Sequence, residues 1–197
     1  MMLKNILTEH TIILASGSPR RKKFFEEMEL NFEIRLKPID EVYPVTLKGA
    51  GISNYLAELK ATPFKEDLQP KDILITSDTV VWHNNRSLAK AESTQEAHQM
   101  LQSLSGDWHE VITSVCFTTT ETQFTKHKIT QVKFKELSDS EIEHYVIKYK
   151  PFDKAGAYGI QEWIGLIGIE DIKGSYTNVV GLPTQLVYET LMRMANS

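Results

Sequence analysis

The sequence predicts a mixed α/β fold, a twisted sheet in two lobes around a central cleft, and three observations carry that prediction. Short apolar runs of strand length alternate with segments of helical period, and helix starts are written in capping residues. The middle of the chain holds long β-branched stretches that suit antiparallel pairing better than a purely parallel sheet. With 197 residues and no repeat, low-complexity tract or linker, residues 1–197 are read as a single domain.

Taken in order, Ile12–Ala15 is an apolar run ending in Ser16-Gly17-Ser18, which suits a buried strand. Ser18 reads as an N-cap and Pro19 as the first helical residue, with Phe24, Phe25 and Met28 on the inner face. Phe32–Leu36 reads as a second strand, and Ile52, Tyr55, Leu56 and Leu59 fall at helical spacing, which puts Lys60 near a helix end. Ile73–Ile75 and Val80–Trp82 read as strands on either side of Ser77-Asp78-Thr79, with a hairpin turn at Asn84-Asn85 leading to Leu88. Ser93 with Glu96 and Ser138 with Glu141 are capping boxes. The first opens a helix lined by Ala97, Met100, Leu101 and Leu104, the second one lined by Ile142, Tyr145, Val146 and Tyr149 and stopped by Lys150-Pro151. Between them Val111–Thr118 and Ile129–Phe134 alternate as half-buried strands, with Cys116 as a core filler. A glycine-bearing stretch from Trp163 to Ile172 precedes a last helix after Gly181-Leu182-Pro183, with Leu186, Thr190, Leu191 and Met194 inward.

Composition narrows the function. A balance of 22 basic against 26 acidic residues, net charge −4, gives no bulk attraction to DNA or to an anionic membrane, so basic character must act locally. The single Cys116 excludes an internal disulfide and a cysteine-based zinc site, which fits a reducing compartment. Near the N-terminus there is one cation, Lys4, and Ile12–Ala15 is too short for a signal core or a membrane span, so a cytoplasmic protein is expected.

The local basic feature is Arg20-Arg21-Lys22-Lys23, in the first turn of the helix that Ser18 caps. Unpaired N–H groups and the macrodipole already make that place positive, so an anion is needed to make it favourable, unless the long chains simply curl into water. Asp78 lies between residues that favour burial, where a carboxylate is costly unless paired, hydrogen-bonded or metal-bound; a cap at a strand end is the plainer reading. Glu41, in the loop pair Asp40-Glu41, gains interest if folding brings it to Asp78, because two carboxylates suit Mg²⁺ together with phosphate and water. Lys60, Lys90 and Lys154 stand beside turns or helix ends as point charges within reach of a polyphosphate, or as ordinary surface lysines. In Asp153–Gln161 small residues allow close backbone approach and Gln161 offers a donor and an acceptor. His109, between Trp108 and Glu110, reads as structural.

In order, these segments resemble the Maf family of nucleotide pyrophosphatases over nearly the whole chain. The family pattern is met at Ser16-Gly17-Ser18-Pro19-Arg20-Arg21, at the loop Glu41, at Leu56-Ala57-Glu58-Leu59-Lys60-Ala61 and at Asp78-Thr79-Val80-Val81. It continues through Ser105–Thr113, Asp153–Gln161 and Gly174–Pro183. Two departures stand out: Lys90 is followed by Ala91 where the family usually has proline, and Thr76-Ser77 replaces small apolar residues. The resemblance implies a Maf/ITPase-like fold that hydrolyses a nucleoside triphosphate to the monophosphate and pyrophosphate, with Mg²⁺ or Mn²⁺ held by Asp78 and Glu41. It implies catalytic roles for Asp78, Glu41, Lys60 and Lys90, with Asp78 as base, metal ligand or both. Substrate contacts are implied for Ser16, Ser18, Arg20, Arg21, Thr79, Lys154 and Gln161. Arg20, Thr79 and Gln161 match the subgroup acting on dTTP and UTP, although a flipped glutamine amide meets cytosine equally well. A 7-methyl-GTP pyrophosphatase of the same family is the alternative, and a nucleic-acid-binding or septum-regulating module is the reading of a different class. Expected partners are the nucleotide and, as a homodimer, a second copy, with neither membrane nor nucleic acid.

Overall fold

The computed structural model describes residues 6–195, and Lys4 lies outside the described residues. In chain order the elements are β1 (Thr11–Leu14), α1 (Pro19–Glu27), β2 (Phe32–Ile34), α2 (Ala50–Ala61), a short 3₁₀ helix (Thr62–Asp67), β3 (Asp72–His83) and β4 (Arg86–Leu88). There follow α3 (Thr94–Leu104), β5 (Trp108–Thr118), β6 (Gln123–Phe134), α4 (Asp139–Tyr149), α5 (Trp163–Gly168), β7 (Ile169–Lys173), α6 (Tyr176–Val180) and α7 (Thr184–Met194). The seven strands form one mixed sheet in the order β2-β1-β3-β5-β6-β7, with β4 also on β3. β1 runs parallel to β2 and β3, and every other pairing is antiparallel.

The sequence suggested two strands flanking Ser77-Asp78-Thr79, whereas β3 runs unbroken through them. β5 pairs with it from Leu74 to Trp82, and both threonines find partners in place: Thr76 Oγ1 donates to Ala57 O at 2.6 Å and Thr79 shares a hydrogen bond with Thr113, while Ser77 Oγ is buried without a partner among the described residues. On its other edge β3 is shared. β1 takes Asp72–Ile75 and β4 takes Val81–His83, so residues 76–80 have no strand beside them. Asp78 sits in the middle of that gap.

The two faces of the sheet are covered differently. On one, α2 and the 3₁₀ helix pack over Ile13, Leu74, Val80 and Cys116. On the other are two separate cores, one built by Ile73, Ile75 and Phe117 with Phe25 of α1 and Leu191 of α7, the other by Val81, Val111 and Phe134 with helices α3 and α4. These are the two lobes. Between them the same face carries polar residues, Thr79 on β3, Thr113 on β5 and Thr130 on β6, tied to the buried Asn178.

Local signals explain the element ends. Ser18 Oγ accepts from Arg21 N, and Ser138 with Glu141 forms a reciprocal capping box. Ser93 caps α3, but Glu96 accepts from Glu92 N rather than from Ser93 N, so that expected box is only half made. Asn84 and Asn85 both take positive φ, 48° and 60°, as the two-residue hairpin between β3 and β4 demands. β2 stops at Ile34, short of the expected Leu36, and β6 starts at Gln123 rather than near Ile129. The added half of β6 is polar and lies on the outer edge, since β7 pairs only with Gln131–Phe134.

His109 is structural, as its surroundings require. Its Nε2 pairs with Tyr158 Oη at 2.7 Å and its ring stacks on Phe134. Burial pulls the imidazole down to about 3, with His83 acting in the same sense and Asp107 opposing. Because the folded value lies below the unfolded one, the unfolded chain takes up a proton near pH 6.5 that the folded chain refuses. Stability is therefore full above that pH and falls as the solution is acidified toward pH 3. Urea unfolding between pH 7 and 4 should show this loss, up to about 1.4 kcal/mol per pH unit from this group, and His109→Gln should flatten the slope. Parallel slopes in the two proteins would contradict the assignment.

Candidate active site

The gap beside β3 opens into a cavity of about 460 Å³, joined to a second of about 490 Å³. Arg20, Glu41, Lys60 and Lys90 line both and form the junction. The first chamber has apolar walls from Ile52, Leu56, Val80, Val111 and Val180, with Gln161 at its rim. The second is bounded by the Ser16-Gly17-Ser18 turn and the start of α1. A ligand with a flat apolar end and a charged tail matches this division.

At the junction Lys60 joins the two carboxylates. It lies in the last turn of α2, and its Nζ is 2.7 Å from Asp78 Oδ1 and 3.1 Å from Glu41 Oε2. Asp78 is 7 % exposed, so a shared ammonium is what makes its charge tolerable there. Its second oxygen, Oδ2, accepts from no donor among the described residues and is left for a ligand or water. Lys60 keeps one of its three N–H donors.

Arg21 lines both chambers but is not free. Its guanidinium is committed inward, donating from Nε to Gly181 O at 2.9 Å, to Ser77 O at 2.8 Å, to Ser16 Oγ at 3.4 Å and to Thr79 Oγ1 at 3.1 Å. It is not a free fork for phosphate. By capping the Ser77 carbonyl it takes the place of a strand on that edge, and by reaching Gly181 it ties α1 to the segment before α7. Ser16 and Thr79 are likewise occupied: Ser16 Oγ also accepts from Ser18 N, and Thr79 passes its proton to Thr113, which donates to Asn178 O. Thr79 Oγ1 keeps at most one acceptor site toward the cavity. Ser18 is spent in part as the N-cap.

Lys154 lines the first chamber and is likewise engaged. It is buried and ion-paired to Asp153 at 2.7 Å and Glu162 at 3.0 Å, not held out as a free charge. Arg20 also meets Asp153, at 3.2 Å. Burial alone would raise the Asp153 carboxyl, but hydrogen bonds and charge from Lys154 and then Arg20 hold it below its ordinary value. Lys90, antiparallel to Ala155 in an isolated bridge, makes no ion pair among the described residues and is exposed. Gln161 is also exposed, with no hydrogen bond to its amide among the described residues.

Charge balance bears on a metal. Arg20, Arg21, Lys60, Lys90 and Lys154 face Glu41, Asp78, Asp153 and Glu162, so the cations are almost fully offset. A polyphosphate would need further positive charge. Asp78 and Glu41 are hard oxygen donors drawn to one cation already, and no cluster of three or more metal-ligating side chains exists among the described residues. Two carboxylates with remaining positions for phosphate and water is the donor set that Mg²⁺ accepts, so the residues fit.

Asp153, Glu162, Thr113 and Asn178 are site residues that sequence reasoning missed. Asp153 and Thr113 lay inside quoted motifs but had no visible partner, since their contacts join segments far apart in the chain.

The chain matches the family described as Maf-like protein over residues 11–194. This protein belongs to the Maf family. Proteins named dTTP/UTP pyrophosphatase from Flavobacterium johnsoniae and Christiangramia forsetii are 55 % and 54 % identical to it, covering 96 % and 100 % of this chain and 98 % and 100 % of theirs. One so named from Phocaeicola vulgatus is 47 % identical over 98 % of this chain and 100 % of its own. Among solved structures, a dITP/XTP pyrophosphatase from Mycobacterium abscessus aligns over 94 % of this chain and 96 % of its own, at 13 % identity and a TM-score of 0.43, too slight a likeness to bear on the site.

In this Maf chain Gly17 points to a contact surface. A Cβ there would meet nothing within 4 Å, and φ is not in the left-handed region, so the fold itself does not require glycine. The space opens on the second chamber. Gly17→Ala should keep or slightly raise the melting temperature, by up to about 1 kcal/mol of stability, while weakening binding of a triphosphate. Calorimetry and nucleotide titration check this; unchanged affinity would show that the turn does not touch the ligand.

Proposed function

We propose that the protein is a nucleoside triphosphate pyrophosphatase that converts dTTP and UTP to the monophosphate and pyrophosphate. The observation that carries this reading is Asp78, a sunken carboxylate with one oxygen anchored by Lys60 and the other free, at the junction of an apolar and a charged chamber. The shared name of full-length relatives supports the reaction and the pyrimidine substrates. A triphosphate in the charged chamber puts its anhydride near Asp78, with the base in the apolar one.

Asp78 Oδ2 takes a proton from water as the water oxygen bonds to one phosphorus of the α–β anhydride. The bridging oxygen leaves with its electron pair on the departing group. Lys60 and Lys90 neutralise charge on the phosphates, and Arg20 does so from the start of α1. A divalent cation, Mg²⁺ or Mn²⁺, with Asp78 and Glu41 as its protein ligands, would supply Lewis-acid neutralisation of the phosphate charge. The Gln161 amide faces N3–H and O4 of thymine or uracil with an acceptor and a donor. A free, buried Cys116 and a nucleotide-pool substrate fit the cytoplasm.

Pyrophosphate release with Mg²⁺ and dTTP, UTP, CTP or 7-methyl-GTP tests the reading. dTTP and UTP should turn over fastest, and Asp78→Asn should lose roughly 10²–10⁴-fold in rate with its circular dichroism unchanged. Preference for 7-methyl-GTP would move the protein to the other Maf subgroup. A fully active Asp78→Asn would remove Asp78 from the chemistry.

A further inference from the structure

Behind Gln161 its loop is held by a buried phenol. Tyr145, on α4, is fully buried in the α3–α4 core and does not line the first chamber. Its hydroxyl accepts from Gly159 N at 3.0 Å and donates to Glu162 Oε2. Gly159 and Glu162 flank Gln161 on both sides, and Glu162 N closes a turn onto Gly159 O at 3.0 Å. The other oxygen of Glu162 holds Lys154, which continues through Asp153 to Arg20.

Packing leaves this loop little freedom. A Cβ on Gly159 would lie 3.0 Å from Glu162 Cδ and from Lys154 Cε, and one on Gly156 would lie 3.0 Å from Val81 Cγ1. Gly156 N also bonds to Leu88 O at 2.9 Å. The backbone is thus fixed on either side of Gln161 while its amide has no hydrogen-bond partner among the described residues.

We infer that Tyr145 is a positioning residue for base selection: through Gly159 and Glu162 it fixes where the Gln161 amide meets the base, and through Glu162 it sets Lys154. This rests on the pyrimidine-triphosphatase reading above. It assigns to a core tyrosine a part in specificity that its burial alone conceals. A phenol suits the task because one oxygen both accepts from a backbone N–H and donates to a carboxylate, in a rigid ring with two torsions. Removing that oxygen leaves Gly159 N–H and one Glu162 oxygen unpaired, which releases the loop instead of merely weakening the core.

The test compares kcat/KM for dTTP and CTP in wild type, Tyr145→Phe, Glu162→Gln and Val146→Ala, each at a temperature where circular dichroism shows it folded. Tyr145→Phe should lower the dTTP-to-CTP ratio by at least about fivefold, the equivalent of one hydrogen bond, mostly by slowing dTTP. Glu162→Gln keeps an oxygen for the phenol and should retain the ratio while changing KM for both nucleotides through Lys154. Val146→Ala opens a hole in the same core and should destabilise without altering the ratio. An unchanged ratio in Tyr145→Phe overturns the inference, as does an equal fall in Val146→Ala. Wild type that fails to hydrolyse dTTP overturns the functional reading and this inference with it; selective wild type with a selective Tyr145→Phe overturns this inference alone.

Discussion

On the edge of β3 away from β5, residues 76–80 have no neighbouring strand among the described residues, and this is the constraint on which the site depends. Because β1 and β4 claim only the two ends of that edge, the middle of a buried strand faces open space, and a side chain there is both rigidly held and reachable. Such placement resolves the conflict that a reactive carboxylate poses: a low-exposure setting raises its cost, yet it must touch solvent and ligand. Lys60 offsets the charge from α2, and Arg21 caps the bare carbonyl of Ser77 from α1. Helices on opposite faces of the sheet therefore converge on one break in it.

The same break accounts for the division into lobes. Thr79, Thr113 and Thr130 interrupt what would otherwise be one continuous apolar face, and Asn178 gathers their hydrogen bonds. Two cores of moderate size result, with a polar seam in between and the cleft at its end. Within the cleft, cations and carboxylates are arranged in alternation: Lys60 between Asp78 and Glu41, Lys154 between Asp153 and Glu162, Arg20 on Asp153. Alternation keeps the long side chains ordered before any ligand arrives, which lowers the entropy lost on binding. It also leaves little net positive charge, which is the ground for the divalent ion proposed with the triphosphate.

Much of this was legible in the residues. The start of α1 at Ser18-Pro19, the Asn84-Asn85 turn and the Ser138–Glu141 capping box are local devices whose partners lie within a few residues, so the chain states them directly. The continuity of β3 was hidden because Thr76 and Thr79 in its polar middle are satisfied by α2 and β5, which only the fold brings close. The protein partners of Arg21 and Lys154 were hidden for a related reason: a cation beside a glycine turn suggests an anion, but Gly181, Ser77 and Glu162 also engage them from distant parts of the sequence. Tyr145 read as a core residue at helical spacing, and nothing local betrays the task of its hydroxyl. Side chains whose partners are remote are the part of a site that sequence alone conceals.

Binding of Mn²⁺ measured by electron paramagnetic resonance, with a non-hydrolysable dTTP analogue present and absent, tests the junction of Asp78, Lys60 and Glu41 most directly. Mn²⁺ should bind tightly only when the analogue is present, and Asp78→Asn should abolish that joint uptake. Equal uptake of Mn²⁺ by Asp78→Asn and wild type would contradict the placement of the metal and the triphosphate at the gap in β3.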